Sequence, residues 1–217
     1  MNYCKNRFAG VLIVFAVLML WNLSASGDES DLPAFGRDTV LVWKVKNVNR
    51  ESSFVVRIAS FYPDRFIEWE SESSQGTVFM PLRDIQEAKD YVSRSLFEGG
   101  VDKRSKKNTT LWLSQRIYAE LKSKGKAKCR LNGVGGELDY RGQDSLIVDV
   151  NGSPRELSAI KALDGRGSEF WFLDQLENPL MVKHTARNHN QTLSVIRTDR
   201  PNTLRWIKGT KLTNPPK

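Results

Sequence analysis

The chain has 217 residues, of which 40% are hydrophobic and 10% aromatic. That is enough to bury a core in one folded unit, and it excludes the composition of a disordered chain. A formal net charge of +8 favours anionic partners, and two cysteines, Cys4 and Cys129, are too few for a disulfide-built scaffold.

Lys5 and Arg7 precede Phe8–Leu23, an almost unbroken apolar run, and Ser24-Ala25-Ser26-Gly27 and Asp28 follow it. A positive start, a short apolar run and small residues behind it read as a secretory signal cut after Ser26 or Gly27. The other reading is an uncleaved inner-membrane anchor, since a span takes about 20 apolar residues. Both carry the remainder across the membrane, to the periplasm or beyond it. Cys4 lies ahead of the run and so is not the lipid-bearing cysteine of a lipoprotein. The expected organisation is a signal over 1–27, a lead-in over 28–38, a single antiparallel-sheet domain over 39–208 and a tail over 209–217.

Strands are expected first. Val40–Val48 and Ser53–Tyr62 are rich in branched and aromatic residues, and Pro63-Asp64 ends the second. Arg65–Ser71 alternates, with Phe66, Glu68 and Glu70 on one face and Ile67 and Trp69 on the other. Thr77–Met80 follows a turn at Ser74-Gln75-Gly76. Pro81 then opens a helix whose stripe runs through Leu82, Ile85, Tyr91, Val92 and Leu96 to Gly99-Gly100. A second helix is expected from Ser114, as N-cap, to Lys124, with Gly125 closing it and Ile117 and Leu121 facing the core. Further strands are read at 127–131, 137–140, 145–150, 155–162, 168–173 and 180–184, with Asn151-Gly152 the strongest hairpin signal. Leu193–Arg197 and Leu204–Ile207 are read as edge strands. About ten strands and two helices predict an α+β fold: a curved, mostly antiparallel, half-barrel-like sheet with helices on one face.

Leu111-Trp112-Leu113-Ser114, Val150-Asn151-Gly152 with Ile160, and Phe170-Trp171-Phe172-Leu173-Asp174 with Asn178-Pro179-Leu180 resemble segments of uncharacterised exported bacterial proteins. These are similar to the periplasmic half-barrel group that includes lipoprotein-localisation carriers. The resemblance implies an open sheet around helices with an apolar hollow for an acyl chain, and no enzymatic activity. The basic stretch 183–217 has no obvious counterpart in the carriers.

Basic residues are concentrated. Residues 102–130 hold ten lysines and arginines against Asp102 and Glu120. Such a segment suits a lipid or other anionic membrane surface; the alternative is that its lysines are solvated loop and helix ends. The residues expected to meet that surface are Lys103, Arg104, Lys106, Lys107, Lys124, Lys126 and Lys128. The aromatics expected to line an apolar groove are Trp43, Phe66, Trp69, Trp112 and Trp171, and core packing is the competing role for each.

Motifs for catalysis are weak. Asp164-Gly165 lacks the intervening hydroxyl residue of an aspartic-protease turn. His184 and His189 lack a third ligand in sequence, and Asp174 with Glu177 reads as a turn rather than a glycosidase pair. No nucleophile elbow, zinc motif or phosphate loop is present, so no cofactor or metal is expected, and nucleic acid is not an expected partner. The sequence therefore favours a non-enzymatic envelope protein that binds or traffics a lipid or lipoprotein. The alternatives are a hydrolase using Asp149, Asp164 or Asp174, and a protein that docks an anionic partner through its basic segments.

Overall fold

The computed structural model describes residues 32, 34–93, 97 and 102–198. The expected signal, the tail, Leu96, Gly99-Gly100 and the strand at 204–207 lie outside them.

Four strands open the fold as an antiparallel meander: β1 (Val40–Asn47), β2 (Arg50–Ser60), β3 (Arg65–Glu70) and β4 (Gln75–Met80). The alternation expected in β3 is observed, with Ile67 and Trp69 buried and Phe66, Glu68 and Glu70 partly exposed.

Helix α1 (Leu82–Glu87) starts behind Pro81 as expected but runs for only six residues. Ala88 adopts an extended conformation, and Asp90–Tyr91 forms β5 instead of another helical turn. The reason is tertiary. In the strand, Tyr91 is 1% exposed and packs edge-on against Phe170 and Phe172, at 6.1 and 5.7 Å between ring centroids. Burying that ring outweighs the small helical preference of its neighbours.

Two short strands follow, β6 (Asp102–Arg104) beside β4 and β7 (Asn108–Thr109) beside β5, both parallel to their partners. Helix α2 (Gln115–Lys124) has the expected ends. The Ser114 hydroxyl accepts from the Ile117 N–H, and Gly125 closes the helix at φ 72°. Ile117, Tyr118 and Leu121 are its buried residues.

The second half is a run of antiparallel neighbours: β8 (Lys126–Leu131), β9 (Val134–Val150), β10 (Ser153–Asp164), β11 (Glu169–Leu173), β12 (Met181–Ala186) and β13 (His189–Arg197). Two strands read separately at 137–140 and 145–150 are one 17-residue strand, β9. Asn151 and Gly152 turn the β9–β10 hairpin with φ of 52° and 88°, the pair of positive values a two-residue turn of this type needs.

The thirteen strands form one curved sheet in which β13 is central, not an edge as its sequence suggested, because it pairs with both β1 and β12. Beyond the end of β12, β13 also bonds in parallel to β9, at Val195–Asp149 and Ile196–Val150. That pairing closes β9, β10, β11, β12 and β13 into a ring. A single apolar cluster includes Val148, Val150, Leu157, Phe172 and Ile196 together with Trp43, Trp112, Tyr91 and Leu121.

Candidate functional site

The five aromatics expected to line a hollow are placed as follows. Trp43 and Trp112 are fully buried, Trp69 and Trp171 are each 4% exposed, and Phe66 is half-buried opposite Phe79. The four tryptophans belong to the one apolar cluster, and three of them spend their indole N–H inside the protein. Trp43 donates to the Met181 carbonyl at 3.1 Å, Trp112 to Asn178 Oδ1 at 2.8 Å and Trp171 to Asp144 Oδ2 at 2.8 Å.

Five of the seven basic residues fall on three elements, and two lie in a loop. Lys103 and Arg104 lie on β6, where the Arg104 guanidinium sits 4.9 Å from the Phe79 ring. Lys106 and Lys107 precede β7. Lys124 ends α2, and Lys126 and Lys128 point outward from β8, with Lys126 3.7 Å from Glu137.

Topology gathers part of this set. Strands β8, β5 and β7 run parallel, with Arg130, Asp90 and Asn108 in one row across them. Arg130 grips Asp90 with two bonds, from Nε at 2.8 Å and Nη2 at 2.7 Å, and the Asp90 partnership holds its guanidinium above the usual range. One residue earlier stand Lys89 and Lys107, and two earlier stand Lys128 and Lys106. These four exposed lysines lie on or just before three strands that run side by side about 4.8 Å apart, and Glu137 stands opposite Lys128 across β8 and β9. None of the four side chains has a carboxylate partner among the described residues. Of the acids nearby, Asp84 is buried and accepts from the Ser105 hydroxyl at 2.5 Å and the Lys107 backbone N–H at 3.1 Å, while Glu87 pairs with Arg83 at 3.5 Å.

Lys89 and Arg130 were not singled out in the sequence. Lys89 stood inside an expected helix, and only the strand β5 brings it beside Lys107. Arg130 did carry a signal, as the last cation of the basic segment and in step with Lys126 and Lys128.

The carboxylates weighed as catalytic groups are engaged in the fold. Asp164 accepts the Arg166 and Ser168 backbone N–H groups at 2.9 and 2.7 Å. Asp149 takes two bonds from Arg197, which hold its carboxyl below the usual range. Asp174 is bound by Tyr118, Lys122 and Gln143, and Glu177 accepts from Gln115 at 2.7 Å. His184 stacks on Phe170 at 4.3 Å between centroids, with the His189 ring 5.4 Å away. No group of three His, Cys, Asp or Glu among the described residues is arranged to hold a metal. Burial pushes the Cys129 thiol up to about 12, away from nucleophilic use.

Comparison of the chain with protein-family models, with curated proteins and with solved structures finds no match.

Proposed function

We propose that the chain is a non-enzymatic cell-envelope protein, exported by its N-terminal segment, that binds anionic amphiphiles at a lipid surface. The cationic edge formed by β8, β5 and β7 is the contact. One observation carries this reading: the exposed Lys89, Lys106, Lys107 and Lys128 lie on or just before three adjacent strands, with no carboxylate partner among the described residues. An acyl chain would stay in the bilayer, since Trp43, Trp69, Trp112 and Trp171 are packed into the core. Each lysine near an anionic surface contributes about 1 kcal/mol, so four together give about a thousandfold preference over a neutral surface. The attraction weakens as salt shortens the screening length.

Co-sedimentation with phosphatidylglycerol and phosphatidylcholine vesicles at low salt tests it. The protein should pellet with the anionic vesicles only, and Lys89→Gln/Lys107→Gln/Lys128→Gln should weaken binding about a hundredfold. Equal pelleting with both vesicles, or a triple variant that binds like the parent, would refute the assignment.

A further inference from the structure

A second site lies on another part of the sheet. An open groove of about 470 Å³ is lined by Lys44, Lys46, Ser52, Ser53, Asn190 and Thr192, with Val45, Glu51 and Glu72 completing it. Its size falls among small-molecule sites, and all of its lining residues but Val45 are polar or charged. We infer that this groove binds a carboxylate-bearing sugar, with Lys44 as the receptor for the acidic group.

The argument begins with register. Ser53, Lys44 and Thr192 are direct neighbours across β2, β1 and β13, so their side chains share one face. A lysine therefore stands between two hydroxyl-bearing residues. The next row, Glu51, Lys46 and Asn190, places an amide beside them.

Charge separates Lys44 from its neighbours. Lys46 pairs with Glu51 at 3.2 Å, and Glu72 is held by Arg50. Both acids of the groove thus have their own cations, and Lys44 has no hydrogen-bond or ionic partner among the described residues. The Thr192 hydroxyl donates to Asn190 Oδ1 at 3.2 Å, so the unspent capacity is one positive charge beside the Ser53 hydroxyl, the Thr192 oxygen as acceptor and the Asn190 amide N–H groups. A pyranose carrying a carboxylate matches that set: the acid meets Lys44, and ring hydroxyls exchange bonds with Ser53, Thr192 and Asn190.

The row also continues. Thr192 is opposite Lys183, which lies 4.3 Å over the Trp171 ring, so a second cation stands two strands, or about 10 Å, from Lys44. A longer acidic oligosaccharide would reach it. Single-stranded nucleic acid is the less suited polyanion, because its binding relies on exposed aromatic faces and no aromatic residue lines the groove.

Titration calorimetry with trigalacturonate tests the site. Saturable binding is expected, with maltotriose and acetate each binding far more weakly. Lys44→Gln should weaken trigalacturonate about tenfold or more, and Thr192→Val about fivefold. Lys44→Arg should restore most of the affinity, and Arg83→Gln, an equal change of charge on α1, should change nothing. Lys44 is exposed, so each of its variants should keep the parent melting temperature. The assignment is overturned if trigalacturonate does not bind saturably, or if maltotriose or acetate binds equally well. It is also overturned if Arg83→Gln weakens binding as much as Lys44→Gln, or if a thymidine hexanucleotide binds more tightly.

Discussion

Asp174 ties three parts of the fold together, and its removal should be costly. Its carboxylate accepts from the Tyr118 hydroxyl on α2, from Lys122 one turn further on at 2.9 and 3.0 Å, and from Gln143 on β9 at 2.5 Å. Its backbone N–H is bonded to the Ser158 carbonyl of β10 at 3.0 Å. The side chain is 11% exposed. Bonds to a charged acceptor are worth about 1.5–3 kcal/mol each. The three do not simply add, because Lys122 is 35% exposed and can turn its ammonium to water. The Tyr118 hydroxyl has less freedom, since the residue is only 6% exposed. Asp174→Ala should therefore cost about 2–4 kcal/mol, mostly through the stranded hydroxyl. A domain of this size loses about 2–4 °C of melting temperature per kcal/mol, so a fall of about 5–15 °C follows.

Urea unfolding of Asp174→Ala, Tyr118→Phe and the double variant measures the shared part. A coupling of about 1–2 kcal/mol is expected. Burial alone would raise the Asp174 carboxyl, but its Tyr118, Lys122 and Gln143 bonds outweigh that and hold it below the ordinary range. A depressed folded-state value stabilises the protein above about pH 4 and gives that contribution up as the pH falls through it. Acid unfolding of Asp174→Ala should accordingly be shallower than that of the parent. An alanine variant within about 0.5 kcal/mol of the parent, with no coupling to Tyr118, would refute the reasoning.

Two further outcomes rest on buried polar groups. Ser114 is fully buried, and its hydroxyl both caps Ile117 and donates to the Ala88 carbonyl at 2.7 Å. Ser114→Ala should cost about 2 kcal/mol in urea unfolding, against near zero for Ser123→Ala on the exposed side of the same helix. Arg65 is 3% exposed, lies 4.7 Å from the Phe61 ring and 4.8 Å from the Trp112 ring, and donates from Nη2 to the Glu177 carbonyl at 2.8 Å. Its Nε and Nη1 have no acceptor among the described residues, and burial pulls the guanidinium down to about 9. Removing a poorly compensated charge while filling its volume offsets the lost ring contacts, so Arg65→Met should fall within about 1 kcal/mol of the parent. Arg65→Ala, which empties the slot, should cost about 3 kcal/mol. Equal losses in the two would show that charge, not volume, matters there.

What could be read from the sequence were features set within a few residues. The period of two in Arg65–Glu70, the serine and glycine that bound α2, and the Asn151-Gly152 turn each depend on local backbone preference and appear where expected. Long-range partnership could not be read. Tyr91 fits a helical stripe as well as a strand, and only Phe170 and Phe172, some eighty residues away, decide for the strand. The apolar residues of β13 suit an edge or a centre equally, and its double pairing with β1 and β12 settles the matter. The groove was partly visible. In β1, Val40 and Val42 give way to Lys44 and Lys46 at the same period, which marks the point where that face turns polar. The hydroxyl of Thr192 beside Lys44 comes from a strand 148 residues later and leaves no trace in the local pattern.

Under the proposed function, the same closure leaves recognition to the outside of this sheet. Once β13 reaches β9, apolar side chains from both halves of the chain meet in one cluster. The indole N–H groups of Trp43, Trp112 and Trp171 are then consumed by Met181, Asn178 and Asp144. An aromatic residue that has spent its polar handle on the fold has no directional bond left to offer a ligand. Exposed cations without carboxylate partners have kept theirs. Two such places have different surroundings: several lysines on neighbouring strands at β8, β5 and β7, and one lysine beside hydroxyl-bearing residues at Lys44. The first arrangement favours a surface of diffuse negative charge and the second a single acid held at defined bond angles, so their responses to salt should differ.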